Sequence, residues 1–386
     1  MEKVRLSKIA QISAGQAAPK EFSDFGLPFI RAGHLEELID GKKLNELPKV
    51  NDDIAKKNKL KVIPAGSILF AKSGMSATKN RIFITTENSY YVSHLAAVIP
   101  SPKYDSSYLA RFLSWYNPTN LILDNAYPSI RLEDINNLEI TLPNLANQQR
   151  IAAILDQADA IIQNNRAIVQ KYDALTQSLF LDMFGDPVMN EKGWEVKNLG
   201  KILKFLTSGS RGWAKYYSNA GDIFLRIQNI GYNKLRLDDL TFINTPNTAE
   251  AKRTKVEPGD IVISITADLG RTAVISSDFP TAFINQHLAI LRFSEESNPF
   301  YISAFIASKG GQTLFNKLDK GGVKSGLNFT DLKSYKLLLP PLELQNQFAE
   351  RVAVIEAQKQ KAQLELAKSE ELFNSLLQRA FNGELS

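Results

Sequence analysis

Asp186 followed by Glu195-Val-Lys197 has the spacing with which metal-dependent nucleases hold Mg²⁺ on carboxylates and polarise a water with a lysine. A plainer reading is favoured. Asp186 is a linker acid and Glu195 belongs to the first strand of a second structural copy, Trp194 to Ile202 standing where Lys3 to Ile9 stand in the first. Gly321-Gly-Val-Lys-Ser325 interposes a valine where a phosphate-binding loop needs Gly-Lys-Ser/Thr, and no apolar strand precedes it. Asn298-Pro-Phe300 lacks the second proline of the Asn-Pro-Pro-aromatic signature of amino-group methylation, and no Gly-rich methyl-donor loop lies upstream. His94 and His287 recur at matching places, yet each opens an apolar run and no Asp or Ser recurs beside them. Both are read as framework residues with locally satisfied ring nitrogens. With no cysteine and three histidines in the chain, disulfides, thiolate metal sites and a cysteine nucleophile are excluded, and a zinc centre is not expected. No catalytic residue and no metal site is assigned.

Binding chemistry is concentrated instead in turn-rich stretches where cations alternate with aromatics and amides. Lys72-Ser-Gly-Met-Ser-Ala-Thr-Lys-Asn-Arg81 is one, and Ser208-Gly-Ser-Arg-Gly-Trp-Ala-Lys-Tyr-Tyr217 is another. Tyr127-Pro-Ser-Ile-Arg131 and Gly322-Val-Lys-Ser-Gly-Leu-Asn328 fall at comparable places further along. Arg and Lys grip phosphates or guanine edges, Asn and Gln read adenine, and Gly lets the backbone approach closely. For any single residue, a solvated loop is the competing reading.

These loops sit on a duplicated framework. Ile130-Arg-Leu-Glu-Asp-Ile135 matches Leu327-Asn-Phe-Thr-Asp-Leu332, and Leu138, Ile140, Leu142, Pro143 and Gln148 match Tyr335, Leu337, Leu339, Pro340 and Gln345. Earlier in each half, Val62-Ile-Pro-Ala-Gly-Ser-Ile-Leu69 pairs with Val256-Glu-Pro-Gly-Asp-Ile-Val262, and Ser93-His-Leu-Ala-Ala-Val98 with Gln286-His-Leu-Ala-Ile-Leu291. Each copy begins with short β-rich runs and ends in a long segment almost free of Gly and Pro. In the first such segment, Ile151, Ile154, Ala158, Ile161, Ile168, Tyr172, Leu175 and Leu179 follow a heptad-like alternation, with Asn165 as a polar insertion. In the second, the alternation runs through Leu344, Phe348, Val352, Ile355, Ala362, Leu366, Phe373, Leu376 and Ala380. Asn144 or Asn147 can cap the first helix and Phe184-Gly-Asp-Pro187 can stop it. A second apolar row, Leu155, Ile162, Val169 and Met183, widens the stripe. It either packs on the globular domains or docks a partner protein, and it is taken as the partner-docking face.

The expected fold is α/β (α+β), with an internal pseudo-twofold repeat. Two similar globular domains, residues 1–143 and 186–339, are separated by two long antiparallel coiled-coil helices, residues 144–185 and 340–386. Residues 1–143 carry 18 basic and 15 acidic side chains and residues 186–339 carry 20 and 15, whereas the helical segments carry 3 against 4 and 5 against 7. Phosphate affinity therefore belongs to the domains. The start, Met1-Glu-Lys-Val-Arg5, has no apolar signal core, and no run of about 18 apolar residues occurs. A cytoplasmic protein with no membrane partner is expected.

In this duplicated order the chain resembles the specificity subunits of type I DNA restriction-modification systems. The resemblance spans essentially the whole chain. It is carried by Leu142-Pro143 and Gln148-Gln149 before a long helix, their second copy Leu339-Pro340-Pro341-Leu342 and Gln345, and Pro258-Gly-Asp-Ile-Val262 with Asn285-Gln-His-Leu288. The first copy departs locally, with Ala65-Gly66-Ser67 for Pro-Gly-Asp and Val92-Ser-His for Asn-Gln-His.

The resemblance implies a non-catalytic subunit with two target-recognition domains, each reading one half of a split, asymmetric site in double-stranded DNA. The helices would set the spacer between the halves and dock two methyltransferase subunits, with two ATP-dependent restriction/translocase subunits joining in the restricting complex. S-adenosylmethionine, ATP and Mg²⁺ would belong to those partners, and none to this chain. The DNA contacts it implies are assigned to Arg31, Lys72, Lys79, Arg81, Tyr127 and Arg131 in the first domain. In the second they are Arg211, Lys215, Tyr216, Arg226, Arg271, Lys324 and Asn328.

Overall fold

In the computed structural model, which describes residues 2–318 and 326–385, Ile68–Ala71 and Ile261–Ser264 are buried at every position. A strand covered on both faces reads as a continuous apolar run and belongs inside a sheet. Ile68–Ala71 accordingly lies between Leu95–Pro100 and Phe83–Ile84, with Ala10–Ala14 on the far edge, in a four-stranded antiparallel sheet. Ile261–Ser264 lies between Leu288–Phe293 and Thr272–Val274, with Leu203–Ser208 on the far edge.

The chain divides into two units, Met1–Arg166 with Leu364–Ser386, and Ala167–Gln363. The first adds a small sheet ordered Lys49–Val50, Leu27–Ile30, Tyr90–Tyr91. The second adds one ordered Tyr217–Ser218, Thr241–Ile243, Asp222–Leu225, Ala282–Ile284. In each unit a two-stranded antiparallel pair leads into a long helix. Glu2–Arg5 pairs with Glu139–Leu142 before Leu145–Phe184, and Glu195–Asn198 pairs with Lys336–Leu339 before Leu342–Phe381.

The repeated Gln is the fitting between helix and domain. Gln148 is buried, accepts the Asp105 N–H on Oε1 at 3.0 Å and donates from Nε2 to the Pro143 carbonyl at 2.8 Å. Gln345 does the same with Asn298 at 2.9 Å and Pro340 at 2.7 Å. Buried Tyr108 and Tyr301 add a second tie, donating to the carbonyls of Thr141 at 2.7 Å and Leu338 at 2.9 Å. Burial pushes both phenols well above their usual range.

Within each unit the two long helices run antiparallel. In the first, Ile151, Ala152 and Leu155 share a core with Leu377, Ala380 and Phe381, and Asn165 Nδ2 donates to Ser369 Oγ at 2.9 Å. In the second, Lys359 Nζ donates to Asp173 Oδ1 at 2.6 Å, and the rings of Phe180 and Phe184 lie 5.8 Å and 5.4 Å from that of Phe348. Phe184 ends the first helix as expected, with Gly185 at φ +78°. Lys192 Nζ and the Trp194 indole N–H donate to the carbonyls of Met183 and Phe184, closing its last turn.

The docking expectation for Leu155, Ile162, Val169 and Met183 does not hold. Leu155, Ile162 and Met183 are 0%, 4% and 8% exposed, Val169 is half-buried, and Leu155 and Met183 sit inside the cores of their units. The buried stripe of this helix runs 151, 155, 158, 162, 165, 169, 172, 176, 179, 183, and it leaves Ile161, Ile168 and Leu175 exposed. Two apolar rows one residue apart lie about 100° apart on a helix, and Asn165 and Thr176 hide the true seam behind polar side chains.

Candidate nucleic-acid interface

Each unit holds its turn-rich loops with the same device. In the first, Lys72 N–H donates to the His94 carbonyl at 2.8 Å, Ile130 N–H to the Lys72 carbonyl at 2.7 Å and Gly74 N–H to the Pro128 carbonyl at 3.0 Å, while Ser73 bridges Ser129. In the second, Ile265 N–H donates to the His287 carbonyl at 3.0 Å and Leu327 N–H to the Ile265 carbonyl at 2.9 Å, while Thr266 bridges Gly326. The histidine ring then meets the hydroxyl in the loop. His94 Nδ1 lies 2.8 Å from Ser73 Oγ, and His287 Nδ1 lies 2.7 Å from Thr266 Oγ1. A hydroxyl partner of each histidine does recur, 21 residues upstream in each copy. It escapes the sequence because Ser and Thr sit there inside otherwise dissimilar loops.

The junction in the first unit brings Lys72, Tyr127 and Arg131 together, with Tyr127 and Arg131 exposed. Lys79 follows the 3₁₀ turn Met75–Thr78 and is exposed; Arg81 N–H donates to its carbonyl at 2.9 Å. The Arg81 guanidinium pairs with Glu36 at 2.5 Å, which ties this loop to the short helix His34–Ile39 and so to Arg31. Arg31 lies over the Phe22 ring at 5.1 Å, and its N–H donates to His34 Nδ1 at 3.2 Å. Desolvation holds the His34 imidazole below its ordinary pKa.

In the second unit, Arg271 and Arg226 are drawn to one hairpin that the sequence reading passes over. Ile230 bridges Leu235 and Gly231 N–H donates to the Lys234 carbonyl at 2.8 Å, so Tyr232 and Asn233 form the tip, Asn233 at φ +55°. Lys234 N–H donates to the Thr272 carbonyl beside Arg271, and Asn229 Oδ1 accepts the Arg226 N–H. The hairpin thereby brings the backbone of Lys234 and Arg236 beside the segments that carry Arg226 and Arg271. Asp239 pairs with Arg226 at 3.2 Å and Asp268 pairs with Arg271. The Gly-Tyr-Asn turn signal flanked by Lys and Arg could have found this hairpin.

Arg211, Lys215 and Tyr216 line a shallow hollow with Trp213, Thr248 and Glu250, the Lys215 ammonium lying 5.0 Å over the Tyr216 ring. Among the described residues, no hydrogen bond or ion pair joins them to Arg226 or Arg271. Asn328 serves the fold, accepting the N–H groups of Thr330 at 2.8 Å and Asp331 at 3.0 Å as the cap of Phe329–Ser334. Lys324 lies outside the described residues.

The competing chemical sites are not assembled. Asp186 Oδ1 accepts the N–H groups of Val188 and Met189 as a turn cap, and Lys197 reaches Glu195 at 3.3 Å along one strand. Asn298 caps the helix Pro299–Ala307 and donates to Asn346. Among the described residues no group of three metal-ligating side chains comes together, and no helix is long and apolar enough to cross a membrane.

Residues 1–171 and 191–366 match the family model described as the type I restriction modification DNA specificity domain. The MjaIX specificity subunit of a type I restriction enzyme of Methanocaldococcus jannaschii is 22% identical over 363 residues, which cover 87% of this chain and 81% of that one. Among solved structures, a chain from work on complex assembly and conformational transition of the type I R-M system has a TM-score of 0.61 at 17% identity, with 100% of this chain and 98% of that chain covered. The type I restriction-modification S subunit of M. genitalium has a TM-score of 0.57 at 16% identity, with 98% and 96% covered. At these identities the two structures speak to the fold.

Proposed function

Because the chain belongs to the type I restriction-modification DNA specificity family, we propose that it is the sequence-reading, non-catalytic subunit of such a complex, each unit contacting one half of a bipartite asymmetric site in duplex DNA. One observation carries this reading: the same sheet, histidine–hydroxyl junction and Gln fitting recur in both units, while the loops joined there differ, Lys72, Met75 and Arg131 of the first unit standing where the second has Ile265, Asp268 and Asn328. Two surfaces of one design with different side chains suit two different half-sites. The long helices set the spacer and dock methyltransferase subunits. The exposed residues Ile161, Ile168 and Leu175 support that docking role better than the buried row does. S-adenosylmethionine, ATP and Mg²⁺ act in the methyltransferase and restriction/translocase subunits.

Co-expression with the methyltransferase partner, followed by genome-wide mapping of methylated adenines, tests the reading. A split motif is expected, and exchanging residues 1–143 for those of another family member is expected to change one half of it. Two changed halves would refute the one-unit, one-half assignment.

A further inference from the structure

The joined loops of the first unit run antiparallel, with Lys72 opposite Ile130, Ser73 opposite Ser129 and Gly74 opposite Pro128. Met75 follows Gly74 at the start of the turn Met75–Thr78, and Tyr127 adjoins Pro128 on the facing segment. Both project into solvent, 73% and 81% exposed, and Leu123 on the same loop as Tyr127 is 84% exposed. A single exposed apolar side chain needs no explanation. Three around one loop junction, beside Lys72, Lys79 and Arg131, point to a covering surface that is both anionic and apolar-faced. Stacked bases behind a phosphate backbone have both properties.

The second unit differs at this point. Two residues beyond the hydroxyl that meets the histidine, the first unit has Met75 and the second has Asp268, whose carboxylate pairs with Arg271. An acid at that position would be repelled by phosphate and cannot enter a base stack.

Resting on the DNA-specificity reading above, we propose that Met75 and Tyr127 form an apolar wedge. It enters the base stack at one step of the half-site contacted by the first unit, while the second unit reads its half without one. Apolar side chains pushed between base pairs unstack them and kink the duplex. Pyrimidine–purine steps open most readily, so a TA or CA/TG step is expected at the wedge position. The wedge adds shape and deformability readout to the cationic contacts around it.

The test uses the full chain in complex with its methyltransferase, without methyl donor, on a duplex carrying the mapped target sequence. Single 2-aminopurine substitutions are placed at each purine except the methylated adenines. Fluorescence is expected to rise several-fold at one step of the half that exchange of residues 1–143 alters, and nowhere in the other half. The double variant Met75→Ala, Tyr127→Ala is expected to abolish the rise at saturating protein and to weaken binding about tenfold. A mismatch placed at the same step should restore that loss. Lys79→Ala should weaken binding while keeping the rise.

Absence of any rise in that half at saturation, or a rise unchanged in the double variant, overturns the wedge and leaves the specificity reading standing. Binding without sequence preference overturns the specificity reading and the wedge with it. Retention on phosphatidylserine vesicles that depends on Met75 and Tyr127, with DNA binding unaltered in the double variant, overturns the wedge in favour of a membrane role.

Discussion

Gln148 Oε1 accepts the Asp105 N–H at 3.0 Å while its Nε2 donates to the Pro143 carbonyl at 2.8 Å, so one buried side chain fastens the long helix Leu145–Phe184 to the cap of the domain helix Ser106–Tyr116. Leucine has a similar volume and neither polar group. Gln148→Leu leaves a backbone donor and a backbone acceptor without partners, at a cost of about 2–4 kcal/mol in unfolding free energy. Gln345→Leu should cost the same in the second unit. Urea titration of each variant measures the loss, and unchanged midpoints would mean that these contacts add nothing beyond what water supplies.

The two copies solve one packing problem differently. Asp260 is fully buried and takes a two-pronged contact from Arg292, Nε to Oδ1 at 2.7 Å and Nη2 to Oδ2 at 2.9 Å. The matching residues of the first copy are Ser67 and Ile99, and Ser67 N–H donates to Thr85 Oγ1 at 3.1 Å instead. Arg292→Ile alone strands a carboxylate in the core, with a loss of about 3–5 kcal/mol. Combining it with Asp260→Ser removes the stranded charge and should recover most of that loss. A double-mutant cycle read by thermal unfolding checks it.

The repeat shows in the sequence because packing constrains it. Ile68–Ala71 and Ile261–Ser264 must be apolar on both faces, and Gln148 and Gln345 must each satisfy two backbone groups, so the same residue types return. The seam of the helix Leu342–Phe381 is legible for the same reason, apart from Lys359 and Ser369, whose partners lie far away in the chain. The seam of Leu145–Phe184 is not, since Leu155 and Ile162 compete with neighbours Ile154 and Ile161 of equal hydrophobicity, and only tertiary packing decides between them. Exposed cations are legible as types but not as groups. The segments that carry Arg226, Lys234, Arg236 and Arg271 meet through backbone pairing and share no pattern.

His34 couples the first unit to pH. Burial lowers its folded pKa below the ordinary 6.5, and its Nδ1 accepts the Arg31 N–H, which a protonated ring cannot do. The unfolded chain therefore binds a proton that the folded chain resists, so stability falls as pH drops through about 6.5. His34→Gln should flatten that slope between pH 7 and 5 in thermal melts. An identical slope in the variant would assign the pH response elsewhere.

Lys359 is a buried cation in the helical seam of the second unit, paired with Asp173 at 2.6 Å and with Glu356 at 3.7 Å. Removing the acid and removing the base should have opposite results. Asp173→Asn leaves the ammonium short of charge compensation and lowers stability. Lys359→Met removes the charge that had to be desolvated and is expected to be neutral or stabilising. Urea midpoints of the two variants give the comparison, and a Lys359→Met variant less stable than Asp173→Asn would show that the ion pair contributes net stability.

Arg81, Arg271 and Asn328 separate phosphate contact from framework. Both arginines are held by acids that remain well exposed, Glu36 and Asp268, so each guanidinium can exchange its partner for a phosphate without unfolding its loop. Arg81→Ala and Arg271→Ala should each weaken DNA binding across all sequences and reduce the slope of log K against log salt by about one. Asn328 has its side-chain oxygen committed to two backbone N–H groups at the start of Phe329–Ser334. Asn328→Ala should therefore cost about 1 kcal/mol of stability and leave the salt slope unchanged. Filter binding or anisotropy at several salt concentrations, paired with thermal melts, distinguishes the two classes. An unchanged slope in both arginine variants would remove them from the interface, and a shallower slope for Asn328→Ala would put that residue in it.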